Sequence, residues 1–381
     1  MLRIGITGQS GFIGTHLFNR VGTMKDRFER VPFRDEFFGN FDALCSFVGS
    51  CDVIVHLAGV NRHNDAATLY DLNVMLARKL KNALESSHSK AHVIFSSSTQ
   101  EERDNPYGKS KREGRLLLAE WARKNNASFT GFIIPNVFGP YGNPFYNSVI
   151  ATFSHQLTHG GIPVIDKDAE LNLIYVDDVV KKIIESVLLT PQGVIQQEYP
   201  LAPNMTKKVS EILMMLNHYK SDYFESGRIP LLRDSFELNL FNSFRGFIDI
   251  DKVYPVKLIQ NTDTRGAFTE VMRSELPGQV SFSTTLPGIT RGDHYHTRKI
   301  ERFIVIKGEA RIQLRRIGAN EILNFFLSGA EPAYVDMPVW YTHNITNIGN
   351  EPLYTIFWIN EPYNPDDPDT YFETVAVSNM C

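Results

Sequence analysis

An α/β domain built on a parallel sheet, followed by an all-β domain, is the fold class this sequence predicts, with domains 1–246 and 247–381. Three observations carry the prediction. In the first half, short apolar runs alternate with longer amphipathic stretches, the pattern of βαβ units. The character changes between Phe244 and Val256. Beyond that point, strand-like segments parted by Gly, Pro, Asn and Asp follow one another without a strong helical pattern, as in a barrel or sandwich. The 381 residues, 43% of them hydrophobic, are ample for large cores.

Taken in order, strands are expected at residues 3–7, 51–57, 92–97 and 128–134, with a second strand ending at Val31-Pro32-Phe33-Arg34. Helical spacing is clear in Leu116, Leu117, Ala119, Glu120 and Arg123. A further helix is expected to start at Thr206, whose hydroxyl can cap the run Val209, Ile212, Leu213, Leu216. In the second half the segments VSFSTTL, RFIVIKG, ARIQLRRI, AYVDMP and LYTIFWI read as strands.

The stretch Thr7-Gly8-Gln9-Ser10-Gly11-Phe12-Ile13-Gly14 follows the first strand and opens a helix. Its glycines allow a tight turn and close approach to a pyrophosphate, and the helix N-terminus offers unpaired N–H groups to phosphates. Gly8, Gly11, Phe12, Ile13 and Gly14 are the candidate cofactor contacts. Arg34, at the end of the second strand, can pair with a 2′-phosphate and favours NADP, while the neighbouring Asp35 keeps NAD open.

Tyr107-Gly-Lys-Ser-Lys111 is the most informative motif of the first half. At i and i+4 of a helix, Tyr107 and Lys111 point the same way. A phenol with pKa near ~10 is a poor acid–base group, and a nearby ammonium is expected to lower that value. Ser96-Ser97-Ser98 ends the preceding strand and can offer a hydroxyl to a carbonyl substrate.

The GxxGxxG spacing, the serine-ended strand and the Tyr-x-x-x-Lys pair resemble those of extended short-chain dehydrogenase/reductases that act on sugar nucleotides. The resemblance implies a Rossmann-like fold, with Ser98 (Thr99 second), Tyr107 and Lys111 as catalytic residues and Lys111 holding the nicotinamide ribose. It also implies Leu57, Ala58 and Gly59 beside the cofactor, Asn73 as a support of the sheet centre, Pro135 against the nicotinamide and Asn136 at the substrate diphosphate. Tyr175-Val176-Asp177-Asp178 resembles another recurrent segment. The gap from serine to tyrosine is short, which predicts a trimmed loop.

In the second half, Gly288-x5-His294-x-His296-x4-Glu301-x6-Gly308 and Pro338-x-Trp340-x2-His343-x3-Asn347 resemble the two cupin motifs, with Trp340 where glycine is usual. Residues two apart share one side of a strand, so His294 and His296 are expected to converge with Glu301 and His343 on one divalent metal. Zinc is the favoured ion; the ligand types suit iron, nickel and manganese as well. Asp263-Thr-Arg265-Gly266-Ala-Phe268-Thr-Glu270 and Arg291-Gly292-Asp-His294-Tyr295 resemble the 3,5-epimerases of deoxy-4-ketosugar nucleotides. There the matching arginine grips the diphosphate and the matching histidine is the base, so His294 has two competing roles. Metal ligation is preferred because His296, Glu301 and His343 complete the set.

Over essentially the whole chain the order of motifs is similar to that of the CapF family of capsular-polysaccharide enzymes. That implies a UDP-linked 2-acetamido-2,6-dideoxy-4-hexulose, epimerised at C3 by the cupin and then reduced at C4 by NADPH. The implied product is UDP-2-acetamido-2,6-dideoxy-L-talose, on the way to N-acetyl-L-fucosamine. Two rivals stand beside this reading: a reductase with a merely structural or dimerising cupin, and a regulatory protein on the same scaffold, against which Tyr107 and Lys111 argue. A cupin dioxygenase is a further alternative.

A net charge of −4 gives no reason to expect nucleic acid as a partner. No apolar run reaches membrane-spanning length and the N-terminus carries no signal-peptide pattern. Three cysteines, Cys45, Cys51 and Cys381, without a CxxC pair, fit a reducing cytoplasm rather than a disulfide framework. The expected assembly is a homodimer.

Overall fold

The computed structural model describes residues 1–190 and 194–377. They form two compact units, Met1–Thr152 with Ile165–Ser210, and Phe153–Val164 with Glu211–Cys381.

In the first unit β1 (Leu2–Thr7), β2 (Phe28–Val31), β3 (Val53–His56), β4 (His92–Ser98) and β5 (Phe129–Ile134) alternate with α1 (Phe12–Gly22), α2 (Phe41–Gly49), α3 (Ala66–Ser86) and α4 (Pro106–Lys124). Next come β6 (Asn136–Phe138), α5 (Val149–Thr158), β7 (Glu170–Tyr175), α6 (Val176–Leu189), β8 (Gln196–Pro200), β9 (Met205–Lys208) and α7 (Val209–Tyr219), of which α5 and α7 begin in the first unit and continue into the second. Six strands make one parallel sheet in the order β2-β1-β3-β4-β5-β8, the Rossmann-like arrangement expected. Its central strands are buried on both faces, so they read as continuous apolar runs rather than alternating ones. One face packs Leu44, Phe47, Leu80, Leu118 and Trp121; the other packs Ile4, Leu17, Val21, Val180 and Ile183. Strand order reverses between β1 and β3, and a crevice opens where their carboxyl ends diverge.

Local chemistry explains the ends of these helices. Asn105 caps α4, its side-chain oxygen accepting from the Gly108 N–H at 2.8 Å, and Pro106 fills the first helical position. The second strand ends at Val31, three residues short of Arg34. Thr206 is not a helix cap. It lies inside β9, which pairs with β7, and its hydroxyl donates to Asn172. The α7 terminus is satisfied from outside instead: Asp168 accepts from both the N–H and the hydroxyl of Ser210. A threonine before an apolar run suits a strand as well as a cap, and pairing decided it.

The second unit contains α8 (Ser235–Arg245) and α9 (Ile250–Val253), then a run of antiparallel strands. These are β10 (Val256–Lys257), β11 (Gln260–Asp263), β12 (Gly266–Thr269), β13 (Gln279–Thr285), β14 (Thr290–Tyr295), β15 (Glu301–Lys307) and β16 (Glu309–Arg316). They continue with β17 (Ile322–Ser328), β18 (Ala333–Met337), β19 (Tyr341–Asn347), β20 (Leu353–Ile359) and β21 (Tyr371–Phe372). Two five-stranded sheets, β10-β18-β15-β20-β13 and β17-β16-β19-β14-β21, share a core of Ile304, Val335, Ile312, Leu314, Ile345 and Leu353. This is the β-rich, cupin-like domain the sequence predicts. Trp340 takes φ +63°, the left-handed backbone that glycine adopts most cheaply. Its ring stacks on Tyr295 at 5.7 Å, so the tight turn keeps a glycine-like backbone while gaining aromatic contact.

Among the described residues no helix is long and apolar enough to cross a membrane. Cys45 and Cys51 are unpaired thiols; Cys381 lies outside the described residues.

Candidate active site and candidate metal centre

The glycine-rich turn between β1 and α1 is packed so tightly that side chains cannot enter. A Cβ on Gly14 would lie 2.1 Å from the Gly8 carbonyl oxygen, and one on Gly8, at φ +69°, would lie 2.7 Å from the Ala58 nitrogen. The turn therefore presents bare backbone to the crevice. Gln9 ties it to the segment after β2 by donating to the Phe33 carbonyl at 2.8 Å, directly before the exposed Arg34. After β3, Asn73 pins the next loop: it accepts from the Val60 N–H at 2.7 Å, and its amide donates to Val60 O and to Ser110.

A cleft of about 560 Å³ opens here. Its lining brings together Gly8, Gly11, Phe12, Ile13 and Gly14 with Leu57, Gly59, Ser98, Tyr107, Lys111, Pro135 and Asn136, as expected from sequence. Ala58 and Arg34 stand outside that lining: Ala58 turns its N–H to the Thr7 hydroxyl at 3.3 Å, and Arg34 points to solvent before a short 3-10 turn. The trimmed segment between Ser98 and Tyr107 forms the 3-10 turn Thr99–Glu102, capped by Ser98 Oγ, which accepts from the Gln100 N–H at 3.2 Å.

The electrostatics of the pair differ from expectation. Burial, reinforced by the nearby Tyr146, pushes the Tyr107 phenol up to about 12, and Lys111 does not pull it down. Lys111 itself is brought down to about 8 by burial, against the opposing pull of Glu101. Its ammonium sits 4.8 Å from the centre of the Phe95 ring. Desolvation acts on both groups, whereas attraction is shared with Glu101. The sequence missed Glu101 and Arg115, a buried pair beneath this site; the signal was a repeat of the four-residue spacing that links Tyr107 and Lys111. It also missed Gly108, whose Cβ would lie 1.9 Å from Gln100 O.

In the β-rich unit, ligand atoms of His294, His296, Glu301 and His343 all lie within 4.8 Å of one another. His294 is in β14, His343 is opposite it in β19, and Glu301 starts β15. His296 lies just past the end of β14, so the two histidines converge through a strand and the turn after it rather than along one strand. Each of two rings is anchored at Nδ1, His296 against Asp369 O at 2.5 Å and His343 against Tyr341 O at 3.1 Å. That leaves Nε2 facing Glu301, at 3.0 and 3.1 Å. His296 Nε2 is buried yet makes no hydrogen bond of acceptable geometry, which fits a donor atom aimed at an ion. The set can hold a divalent metal. Burial opposes ionisation of Glu301, but the His343 hydrogen bond and the close His296 ring hold its carboxyl well below the usual range. Asp369, missed in the sequence, accepts from the backbone of Thr297, Arg298 and Lys299 and fixes the turn that carries His296.

Arg265 is not brought to this cluster by any contact. It sits on the β11–β12 hairpin, 89% exposed, ion-paired to Asp263 at 2.6 Å.

A parallel sheet with a bare glycine turn, a Tyr–Lys helix face and a cupin-like partner defines a short-chain dehydrogenase/reductase-type protein with an appended β domain. Residues 4–189 match the NAD dependent epimerase/dehydratase family, and residues 261–371 match the polysaccharide biosynthesis C-terminal domain. The chain belongs to the CapF-type family of capsular-polysaccharide reductases. It is 32% identical over 380 residues to the UDP-2-acetamido-2,6-beta-L-arabino-hexul-4-ose reductase of Pseudomonas aeruginosa, covering 97% of this chain and 98% of that one. The structure of the capsular polysaccharide assembling protein CapF from Staphylococcus aureus is similar at 33% identity and TM-score 0.60, covering 98% of this chain and all of the other. A spore coat polysaccharide biosynthesis protein, SpsL of Bacillus subtilis, is 29% identical over 132 residues, 32% of this chain and 86% of its own.

Proposed function

We propose that the chain is an NADPH-dependent reductase of a UDP-linked 2-acetamido-2,6-dideoxy-4-hexulose, with a functional boundary near residue 247. The observation that carries this is the cleft in which Tyr107, Lys111 and Ser98 meet the glycine turn. The full-length likeness to a reductase of that substrate class supports the sugar. Bound NADPH would supply hydride to C4 of the ketone. Gly8, Gly11 and Gly14 would hold its pyrophosphate, Lys111 its ribose, Pro135 its nicotinamide, and Arg34 its 2′-phosphate.

The remaining steps belong to this chain. Ser98 holds the carbonyl oxygen by its hydroxyl. Tyr107 gives its proton to that oxygen as the C–O bond becomes an alkoxide, which is a stronger base than a phenolate. A phenol kept protonated by burial is the form this direction of reaction requires. Asn136 binds the substrate diphosphate.

The second unit is read as the C3 epimerase that acts first. A hydrogen beside the C4 ketone is acidic because the enolate is delocalised, and its return from the opposite face inverts C3. His294, His296, Glu301 and His343 would hold a zinc ion, which supplies stabilisation of negative charge on oxygen. Arg265 is the candidate diphosphate contact there. Epimerisation followed by reduction yields UDP-2-acetamido-2,6-dideoxy-L-talose, towards UDP-N-acetyl-L-fucosamine. The assembly is read as a homodimer.

The test is incubation with a panel of UDP-4-ketohexoses and NADPH or NADH, with products identified by NMR. NADPH is expected to be preferred, a preference lost in Arg34→Ala. Tyr107→Phe should cut NADPH oxidation by at least ~10²-fold while cofactor binding persists. Near-normal turnover in that variant would sink the assignment.

A further inference from the structure

Tyr107, Lys111 and Arg115 occupy positions i, i+4 and i+8 of α4, so one helix face carries all three. The first two line the cleft, but Arg115 turns beneath it. There its guanidinium grips Glu101 with a fork: Nε donates to Oε1 at 2.9 Å and Nη2 to Oε2 at 2.7 Å. Both side chains are buried, at 8% and 6% exposure. A second carboxylate, Glu198, takes Nη1, and the Ser97 hydroxyl donates to Glu101. The arginine stem crosses β5 at Gly131, where a Cβ would lie 2.9 Å from Arg115 Cδ. The sheet thus leaves room for this side chain.

What the pair joins gives it a role. Glu101 belongs to the 3-10 turn Thr99–Glu102, whose cap is Ser98. Arg115 belongs to the helix that carries Tyr107 and Lys111. The two sides of the cleft are therefore locked by a buried bidentate pair, the ion-pair geometry with the most directional restraint. Charge points the same way. Lys111 and Arg115 are buried cations one turn apart, and Glu101 is the buried anion between the turn and that face; its field favours the ammonium of Lys111.

We propose that Glu101, clamped by Arg115, is a positioning residue of the reductase: it fixes the Ser98 turn against the Tyr107–Lys111 face and supplies the counter-charge for that face. Neither residue touches substrate or cofactor. The inference rests on the reductase reading.

The experiment compares wild type, Glu101→Gln, Arg115→Lys and the charge-exchanged Glu101→Arg/Arg115→Glu double variant. Each is measured for melting temperature, NADPH binding, and kcat and KM across pH. Glu101→Gln keeps shape and loses charge. Its kcat is expected to fall about tenfold or more, as for misplacement of reacting groups, with KM for the sugar nearly unchanged. The alkaline limb of its pH profile is expected to move to lower pH, because Lys111 loses the anion that favours its charged form. Arg115→Lys keeps the charge but not the fork, so it should lose kcat without moving that limb. Should Glu101→Gln fail to fold, Arg115→Lys carries the test alone. Wild-type kcat together with an unmoved limb in Glu101→Gln, or wild-type kcat in Arg115→Lys, overturns the proposal. So does recovery of stability by the double variant without any recovery of rate relative to its parents. If wild type itself turns over no UDP-4-ketosugar, the reductase reading fails instead, and the two failures are told apart.

Discussion

At Tyr107 and Lys111 burial acts on two groups of opposite type, and it moves their pKa values in opposite directions. The phenol rises to about 12 and the ammonium falls to about 8, so near neutral pH the tyrosine is protonated and the lysine still charged. Their order gives a sign. As pH rises, Lys111 is the first to change, losing its proton and with it the charge on which the proposed ribose contact relies. The kcat/KM for NADPH is therefore expected to be level through neutrality and to fall above about pH 8, since this ratio reports groups of the free enzyme. Stopped-flow or steady-state rates between about pH 6 and 10 check this, and a ratio still rising at the alkaline end contradicts it. His56, beside them, shows the same force on a group that serves the sheet rather than the reaction. Burial brings its imidazole down to about 3, so it stays neutral while sharing a hydrogen bond with the Thr7 hydroxyl at 2.7 Å.

Helix α4 meets the Ser98 turn at Gly108, where any side chain would strike Gln100 O. Gly108→Ala forces the helix outward, an overpacking that typically costs about 1–3 kcal/mol. The melting temperature is expected to drop by several degrees and NADPH oxidation to fall about tenfold, because Tyr107 is the adjacent residue. Unchanged melting and unchanged rate would mean that the helix is not seated there. The glycine was in plain view within the Tyr-x-x-x-Lys motif, yet its reason lay in a partner, Gln100, on the preceding turn, which no periodicity reports. Elements defined by their own pattern were legible: the strands around Val53–His56 and the α4 face follow from burial on two sides and from 3.6-residue spacing. The cluster of His294, His296, Glu301 and His343 was legible from residue type and motif order, although His296 reaches it from the turn after β14 and not by strand spacing. Features fixed by long-range pairing were not. Thr206 fell in a strand because β7 pairs with it, and of the Glu101–Arg115 clamp only the spacing of Arg115 on the Tyr107 face was visible, because Glu101 lies on a separate turn.

For the whole molecule, the proposed reading places reduction and epimerisation in two compact units, and the two activities are then expected to be separable. Exchange of the C3 hydrogen with solvent deuterium is expected without NADPH and should survive Tyr107→Phe. It should fall sharply in His343→Ala or after chelation, with circular dichroism separating loss of the ion from loss of fold. A folded, metal-free protein with undiminished exchange would show the ion to be dispensable. The anchor of His296 adds a matter of timing. Its ring is oriented by Asp369, 73 residues further along, whose carboxylate also gathers the N–H groups of Thr297, Arg298 and Lys299. While a ribosome is still making the barrel, the turn bearing His296 can be held by Asn242 at the Arg298 carbonyl and later by the Trp340 N–H at the His296 carbonyl, but its Asp369 anchors come only when residue 369 is out. A chain halted after β20 would therefore carry all four residues of the cluster with the His296 ring left without its Nδ1 partner.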